Sequence, residues 1–401
     1  MPASLASLTA VLKERYQGKI RKQLRQEAVA LRRIESSSEG VTNEVGGKYV
    51  TFPIHTRRNA GIGARNEGEA LPLPGQQGAA AARIGLKYEY GSIELTGQAM
   101  KLATKDPQSF VKSVDFEMDG LKDDLLKDTN RQVYGNGTGE LARTTAASAA
   151  LVLTVNSVQY FDLDMQIDVI TLPGTVTASN RKVLSVDEAA STITVDGANI
   201  TAGVNAVIVR HGSFNREITG FTGLFSDTTP LFNIDPATEP VWKSYVSSNG
   251  GTPRAISESL IMAVINETRR RGGKITAMFT TPGVYLSYFN LLSQQRQFVN
   301  TKEFAGGFSG LAFVTDGGEI PIVVDFDCPP GTLYGVNEKD LKIYQEADWS
   351  FMDEDGSMWQ RKVTSAGNFD AYWATMYKYM EIGLGRRNSH FVIRDLEETT
   401  V

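Results

Sequence analysis

Apolar residues recur at three- or four-residue spacing near the beginning of the chain, which predicts a helix over residues 4–35. The other faces of this helix are strongly basic. Their residues include Lys13, Arg15, Lys19, Arg21, Lys22 and Arg25. A basic face of this kind is either solvated or belongs to an arm that contacts a neighbouring molecule or an acidic partner.

Two runs after this helix show the alternation of half-buried strands. They are KYVTFPIHT at 48–56 and IGLKYEYGSIELT at 84–96. We expect the two strands to pair as a long hairpin, with Gly91 at a kink or bulge. The glycine-rich segment 57–85 then forms the hairpin tip, which is far longer than the usual loop of about two to five residues.

A long helix is predicted at 107–134. Asp106 is a suitable N-cap, Pro107 a suitable first helical residue and Gly135 a natural stop. Roughly 28 residues at about 1.5 Å per residue correspond to about 42 Å, a length that few globular helices reach.

The rest of the chain alternates between β-rich and helical character. Residues 151–220 consist of short β-branched runs separated by turns, which predicts a small barrel or sandwich inserted into the chain. Helical periodicity returns at 253–271, with Thr252 as the expected N-cap and Pro253 at the first helical position. A buried strand is predicted at 320–327, and the end of the chain is rich in strand-like runs.

The sequence GIGARNEG at 61–68 invites comparison with phosphate-binding loops. Asn66 stands where the third glycine of a dinucleotide-binding loop belongs, and no Gly-Lys-Ser/Thr follows. Such loops also open onto a helix, and Pro72 and Pro74 prevent a helix from starting there. The loop is therefore predicted to make contacts rather than to bind a nucleotide.

Other candidate chemistry is equally weak. His55, His211 and His390 lie in separate strand-like runs without a second metal ligand nearby. Cys328 is the only cysteine of 401 residues and is predicted to be buried. With 41 basic and 46 acidic residues the formal net charge is −5, which argues against a general nucleic-acid binder. The sequence therefore predicts no catalytic, cofactor or metal site, and no apolar run long enough to span a membrane.

Taken in order, these elements resemble the major capsid protein of tailed double-stranded DNA bacteriophages, the Hong Kong phage capsid fold that encapsulins share. The motifs that carry the resemblance are VYGNGTGE (133–140), VIVRHGSFNREITGF (207–221), IPIVVDFDCPPGTLYG (320–335), ADWSFMDEDGSMWQRKV (347–363) and YKYMEIGLGRRNSHFVI (377–393). Each motif alone has little specificity, whereas their order and spacing are specific and cover most of the chain.

The resemblance implies an α+β fold with a defined order of parts. The expected parts are an N-terminal arm (1–46), an extended β-hairpin loop (47–97), a peripheral domain (98–150) with the spine helix 107–134, an inserted small β-barrel-like module (151–220), an axial domain (221–340) and a return to the peripheral domain (341–401). The axial domain is expected to meet its copies around the axis of each capsomer.

The implied function is structural rather than enzymatic. Identical subunits would form hexamers and pentamers that tile an icosahedral shell around the genome, in a virion assembled in the host bacterial cytoplasm. The implied partners are other copies of the chain, a separate scaffolding protein, a portal, a candidate decoration protein and, through weak non-specific contact, packaged DNA. The alternatives are an encapsulin-like compartment around a cargo protein and a carbohydrate-active hydrolase that uses acids such as Asp353 and Asp355.

The resemblance also implies where subunits touch. The tip of the extended loop would lie over an adjacent subunit, and its predicted contact residues are Arg57, Arg58, Arg65, Glu67 and Glu69. The six basic arm residues named above are predicted to contact the inner face or a neighbour. Some members of the family cross-link a lysine near this tip to a neighbouring subunit. No lysine stands between Thr56 and Gly85, so the shell is predicted to be held together non-covalently.

Overall fold

The computed structural model describes residues 27–36, 41–42, 49–98, 113–295, 302–303, 309–310, 312–315, 318–353, 356–364 and 367–399. The described helices are α1 (Val29–Glu35), α2 (Ser113–Tyr134), α3 (Phe221–Leu224), α4 (Glu258–Arg270) and α5 (Pro282–Gln295), with a 3-10 helix at Arg387–Ser389. The described strands are β1 (Val41–Thr42), β2 (Val50–Arg57), β3 (Gly78–Ile84), β4 (Lys87–Thr96), β5 (Glu140–Arg143), β6 (Ser148–Ala150), β7 (Val152–Thr154), β8 (Gln166–Thr171), β9 (Thr175–Asp187), β10 (Thr192–Val195), β11 (Ile200–Ala202), β12 (Val207–Arg210), β13 (Tyr245–Ser247), β14 (Ala277–Thr280), β15 (Lys302–Glu303), β16 (Ser309–Gly310), β17 (Ala312–Thr315), β18 (Gly318–Val324), β19 (Leu333–Val336), β20 (Leu341–Gln345), β21 (Ser350–Phe351), β22 (Gln360–Thr364), β23 (Gly367–Leu384) and β24 (Phe391–Ile393).

The described elements divide between two compact units. The first comprises segments within Glu89–Asp128 and Ala347–Lys378. The second comprises segments within Val29–Tyr88, Thr129–Glu346 and Tyr379–Val401. The long helix α2 and the long strand β23 each contribute residues to both units.

In the first unit, β4, β21 and β22 all pair with the first part of β23. Gly91 of β4 lies against α2. A Cβ atom at this position would lie 2.7 Å from Leu121 Cδ1 and 2.9 Å from Leu125 Cδ1. Both distances are shorter than the van der Waals contacts that Cβ atoms make in proteins. Glycine therefore lets the strand approach the helix.

A mixed sheet forms the core of the second unit. Its six described strands follow the order β13-β24-β19-β14-β18-β17. Helices α4 and α5 pack on this sheet through Ile261, Val264, Val284 and Tyr288, which share one buried cluster with Met278 of β14. Burial of this many apolar side chains is the main stabilising contribution to the unit.

Arg387 is fully buried in the second unit and caps the end of α3. Its Nε donates to the carbonyl of Leu224 at 2.8 Å, and its Nη1 donates to the carbonyl of Thr229 at 2.7 Å. The first bond satisfies a carbonyl that has no partner within the helix. Burial lowers the pKa of Arg387 to about 10, so the side chain remains charged at neutral pH.

The β-rich module of the second unit is a closed sheet. Its six described strands follow the order β5-β12-β8-β9-β10-β7, and all neighbours are antiparallel. A bridge between Thr144 and Val155 joins the ends of β5 and β7, so the sheet closes as a small barrel. Its interior is filled by side chains such as Leu153, Ile167 and Val183. The barrel includes β5, which precedes the expected boundary at 151.

The predicted strand pairing in the extended loop was wrong. β2 pairs with β3, from Val50 opposite Ile84 to Arg57 opposite Gly78, whereas β4 pairs with β23. The run GAAAARI of β3 gave no strand signal, because alanine has a low intrinsic preference for strands.

The predicted start of α4 was also wrong. The helix begins at Glu258, and its N-cap is Ser257, whose Oγ accepts a hydrogen bond from the Leu260 backbone N–H at 3.2 Å. The preceding residues are held elsewhere, because the Arg254 N–H donates to the Asp395 carbonyl at 2.7 Å. None of the described helices is long and apolar enough to cross a membrane.

Candidate assembly surfaces

Within the second unit, contacts at both ends of the β2–β3 hairpin fix the extended loop. The backbone N–H of Arg83 donates to the carbonyl of Phe232 at 3.0 Å. On the opposite strand, Arg57 Nη2 donates to Glu239 Oε1 at 2.8 Å, and this bond lowers the pKa of Glu239. Ala82 is buried, while most of β2 and β3 remains exposed or half-buried. The hairpin therefore projects a well-anchored tip formed by residues 58–77.

The two sides of this tip meet at a pair of glycines. The backbone N–H of Gly61 donates to Asn59 Oδ1 at 2.6 Å. A Cβ atom on Gly61 would lie 2.5 Å from the Leu73 carbonyl oxygen, and one on Gly75 would collide with Asn59 Oδ1. Only glycine fits at either position, so these residues set the close approach of the two sides.

The end of the tip is a hydrogen-bonded turn. Asn66 Nδ2 donates to Glu69 Oε1 at 2.8 Å, and the Asn66 backbone N–H donates to Glu69 Oε2 at 3.1 Å. These two bonds, the backbone one foremost, lower the pKa of Glu69. Gly68 has a φ of +80°, which favours glycine, and Arg65 Nε donates to the Ala70 carbonyl at 2.9 Å. The tip thus has a defined local structure.

The predicted tip contacts fall into two groups. Arg57, Arg65 and Glu69 already bond within the chain, to Glu239 or within the loop itself. Arg58 and Glu67 are exposed and show no hydrogen bond or ion pair to other described residues. The intersubunit role of all five charges remains a prediction.

The tip also exposes three large apolar side chains that sequence reasoning missed. Ile62 is 83% exposed, Leu71 83% and Leu73 87%. Apolar side chains this exposed on an ordered segment are typical of a contact surface. A signal was present, because Leu71 and Leu73 alternate with prolines in an otherwise polar loop.

The six predicted contact residues of the arm, Lys13, Arg15, Lys19, Arg21, Lys22 and Arg25, lie outside the described residues. Further along the arm, α1 is docked on the second unit. The Ala30 N–H donates to Asp325 Oδ2 and the Leu31 N–H to Asn130 Oδ1, both at 3.1 Å. Asp325 is buried and also accepts from Tyr134 Oη at 3.0 Å. Buried polar groups of this kind fix the position of the segment that they bind.

The arm continues along the second unit after this anchor. Arg33 Nε lies 2.5 Å from Glu338 Oε1, and Ile34 is buried. β1 then pairs in parallel with β20, with Val41 opposite Ile343. Residues 29–42 of the arm are thus bound to their own chain at each described point.

The first unit carries a second exposed surface, formed by Glu94, Lys362, Val363, Phe369 and Trp373. Lys362 Nζ lies 2.7 Å from Glu94 Oε2 and 5.4 Å from the Trp373 ring centroid. The Lys362 bond lowers the pKa of Glu94. Val363 is 65% exposed and Trp373 41%. Apolar and aromatic side chains around a fixed ion pair suit protein contact.

These surfaces expose apolar, aromatic and charged side chains of the kind that protein contacts use. Within the described ranges, no group of three or more histidine, cysteine, aspartate or glutamate side chains is arranged to hold a metal ion. Cys328 is buried, as predicted, and burial raises the pKa of its thiol, which makes it a poor nucleophile.

Comparison with known proteins agrees with this geometry. The sequence model of the SU10 major capsid protein family matches residues 186–397, more than half of the chain. A search of curated proteins found no match.

Among solved structures, the chain is similar to the capsid protein of cyanophage A-1(L), with 15% identity, a TM-score of 0.59 and coverage of 97% of this chain and 98% of that chain. It is also similar to the capsid protein of a native GTA particle, with 11% identity, a TM-score of 0.52 and 99% coverage of both chains. The protein of Mycobacterium phage Bobi has 10% identity, a TM-score of 0.50 and coverage of 98% and 99%. At these identities the likeness establishes the fold alone.

The fold and the exposed contact surfaces define a capsid subunit. The chain belongs to the SU10 major capsid protein family, and it is a structural protein of a bacteriophage capsid and hence of the virion. The predicted resemblance, the α+β capsid fold and the structural function are confirmed.

Proposed function

We propose that the chain assembles as hexamers and pentamers into an icosahedral shell that encloses a double-stranded DNA phage genome. The observation that supports this most directly is the match of residues 186–397 to a major capsid protein family. Each subunit contact is modest, but a subunit makes many of them, and their combined effect stabilises the shell. The encapsulin-like alternative has less support, because the matching family is one of capsid proteins.

Electron microscopy of the purified chain tests this proposal. We expect icosahedral particles built from five- and six-fold capsomers. A population of small oligomers under all assembly conditions would contradict it. Particles that enclose one protein species and never take up DNA in infected cells would favour the encapsulin-like alternative.

The tip of the extended loop is proposed to lie over an adjacent subunit. Arg58 and Glu67 are proposed to contact that neighbour, and Ile62, Leu71 and Leu73 to bury apolar surface against it; the exposure of all five side chains supports this. Arg57, Arg65 and Glu69 belong to the same contact and also hold the shape of the loop. The basic arm residues between Lys13 and Arg25 are proposed to contact the inner face of the shell, a neighbouring subunit or packaged DNA.

The shell is proposed to be held together without covalent cross-links. The supporting observation is that no lysine occurs between Thr56 and Gly85, where some members of the fold carry the cross-linking residue. Boiling particles in denaturant with reductant, followed by gel electrophoresis, should give one band at the subunit mass. A ladder of oligomers would refute the idea.

Assembly is proposed to take place in the cytoplasm of the host bacterium with a separate scaffolding protein, a portal and a candidate decoration protein. Expression of the chain with and without the neighbouring phage genes tests this. Uniform closed particles from the chain alone would argue against a separate scaffold.

A further inference from the structure

Cations from three separate segments meet at the end of α4. We define the α4 basic cluster as Lys243, Arg269, Arg270, Arg271, Lys274 and Arg386. Direct contacts bring the segments together. Arg386 Nη1 donates to the Gly272 carbonyl at 3.4 Å, and Asn388 Nδ2 donates to the Arg271 carbonyl at 2.8 Å. The Arg271 guanidinium lies 5.0 Å from the Tyr245 ring centroid, which places the Lys243 segment on the same side.

Within this cluster, Glu267 holds two of the arginines in fixed positions. Arg270 Nη2 lies 2.6 Å and Arg271 Nε 3.0 Å from Glu267 Oε1. These bonds, that of Arg270 foremost, lower the pKa of Glu267 to about 2. The guanidinium groups are thus oriented before any ligand arrives, which reduces the entropic cost of binding.

Three further cations of the cluster lie outside these ion pairs. Lys274 and Arg386 are exposed and Lys243 is half-buried, and none of the three shows an ion pair to the described residues. Asp227, Asp340 and Glu338 are other carboxylates that the contacts of this region bring nearby. The six cations therefore exceed the nearby acids in a chain whose net charge is −5.

A structural role accounts for only part of this cluster. Cations in the last turn stabilise a helix through its dipole, which explains Arg269, Arg270 and Arg271. It does not explain Lys274, which follows the helix, or the exposed Arg386, which comes from a segment 115 residues further along than Arg271 by their numbering. Cations that come together from separate segments are typical of a site that binds a polyanion.

We propose that the α4 basic cluster binds the phosphate backbone of double-stranded DNA, without regard to sequence. This inference rests on the proposed function, because the DNA in question is the genome inside the shell. A nucleic-acid backbone suits the cluster better than a protein does, because Tyr245 is covered by Arg271 and no exposed aromatic side chain lies at its centre.

The segment that carries Lys274 is also linked to the described part of the arm, at Arg33. Thr276 Oγ1 donates to Glu338 Oε2 at 3.0 Å, and the other oxygen of Glu338 lies 2.5 Å from Arg33 Nε. Thr276, two residues after Lys274, and Arg33 are therefore connected through one carboxylate, and Arg32 is exposed. A DNA duplex held at the cluster can meet the arm as well, which adds phosphate contacts to the site.

The test measures binding of the unassembled chain to a fluorescent 30-base-pair duplex of random sequence, by anisotropy over a range of salt concentrations. The variant Lys243→Gln/Lys274→Gln/Arg386→Gln removes the unpaired cations. Lys182→Gln/Arg210→Gln/Arg216→Gln removes the same charge from the β-module and is the matched control. A third variant, Lys243→Arg/Lys274→Arg/Arg386→Lys, keeps the charge of the cluster.

We expect the cluster variant to lower the slope of log affinity against log salt by about 2 to 3, since each phosphate contact contributes about 0.9. The control and the charge-conserving variant should keep the slope of the parent chain. An unchanged slope in the cluster variant would overturn the proposal. So would unchanged DNA binding together with a failure to form particles, because the cluster would then be a protein contact. If the parent chain forms no particles but shows the slope difference, the shell proposal fails and phosphate binding by the cluster stands.

Discussion

The backbone N–H of Ala30 donates to Asp325 Oδ2 at 3.1 Å, although the two residues are 295 positions apart. The same buried carboxylate accepts from Asn130 Nδ2 at 3.2 Å and from Tyr134 Oη at 3.0 Å. The Asp325 side chain thereby joins the arm, the long helix α2 and the end of strand β18, which Asp325 directly follows. Satisfied buried networks of this kind specify one arrangement of the elements that they join.

Asp325→Ala should destabilise the unassembled subunit by about 2 to 4 kcal/mol, because four buried donors, on Ala30, Asn130, Tyr134 and Asp327, lose this acceptor. Urea unfolding measures the change, and limited proteolysis near Arg32 and Arg33 should become faster as α1 is released. Asp353→Ala is the control, since Asp353 is exposed, and its effect should stay within about 0.5 kcal/mol. Equal stability of the two variants would contradict the anchoring role of Asp325.

Gly91→Val should destabilise the first unit by about 1 to 3 kcal/mol, because the new side chain would collide with Leu121 and Leu125 of α2. Gly120→Ala is a matched change on the same helix. Gly120 has no atom within 4 Å of the position that a Cβ would occupy, so alanine should stabilise the helix by about 0.5 to 1 kcal/mol. The midpoint of thermal unfolding should fall for Gly91→Val and rise for Gly120→Ala. Midpoints that shift in the same direction would be inconsistent with this packing.

His390 should make stability fall with acidity. The ring is fully buried, its Nδ1 accepts from the Asn337 N–H at 3.2 Å, and burial lowers its pKa from 6.5 to about 3. The unfolded chain takes up a proton below about pH 6.5, whereas the folded chain does not. The contribution is therefore intact above pH 6.5 and is lost as the pH falls towards 3, by up to about 1.4 kcal/mol per pH unit.

Denaturant unfolding between pH 7 and 4.5 tests this, with His390→Gln as the comparison. Glutamine offers an acceptor but does not titrate in this range, so the variant should lose less stability on acidification than the parent chain. The carboxylates of both proteins titrate alike, so the difference isolates the histidine. If the free energy of unfolding of the two proteins changes equally with pH, the His390 ring is not held neutral in the folded chain.

The exposed apolar side chains of the loop tip should matter for assembly and not for folding. Ile62→Ser/Leu71→Ser/Leu73→Ser should raise the subunit concentration needed for particle formation by tenfold or more, because each buried side chain contributes about 1.5 to 3 kcal/mol. Its urea unfolding should match that of the parent chain. The control Leu163→Ser/Leu184→Ser/Val204→Ser changes exposed side chains of the β-module and should assemble normally. Sedimentation and electron microscopy report both results.

The sequence predicted correctly those helices and strands whose formation depends mainly on neighbouring residues. For α2, periodicity and a glycine stop identified the helix and its end at Tyr134. β3 was missed because its alanines carry no strand preference, and it forms a strand only because β2 lies beside it. α4 starts later than its local signals indicate, because Arg254 pairs with the distant Asp395. Tertiary contacts overrode local preference in both cases.

The sequence also predicted only part of the candidate contact surface at the loop tip. The sequence identifies the loop tip and its charges, because charged residues can be read directly. It does not show that Arg57 reaches Glu239, since 182 residues separate them. The sequence also does not show that Leu71 and Leu73 are exposed. Large apolar residues are usually buried, so only the fold reveals this exposure.

The pairing of β4 with β23 has a consequence for how the chain is made. Ser92 and Thr375 lie 3.0 Å apart through their hydroxyl oxygens, yet 283 residues separate them. A ribosome that adds about 5 to 20 residues per second needs roughly 15 to 55 s to pass from one to the other. During that time β4 lacks its partner, and unpaired strand edges promote aggregation. A nascent or prematurely terminated chain cannot complete the first unit, so the exposed surface of Glu94, Lys362, Val363, Phe369 and Trp373 forms only after nearly the whole chain has been made.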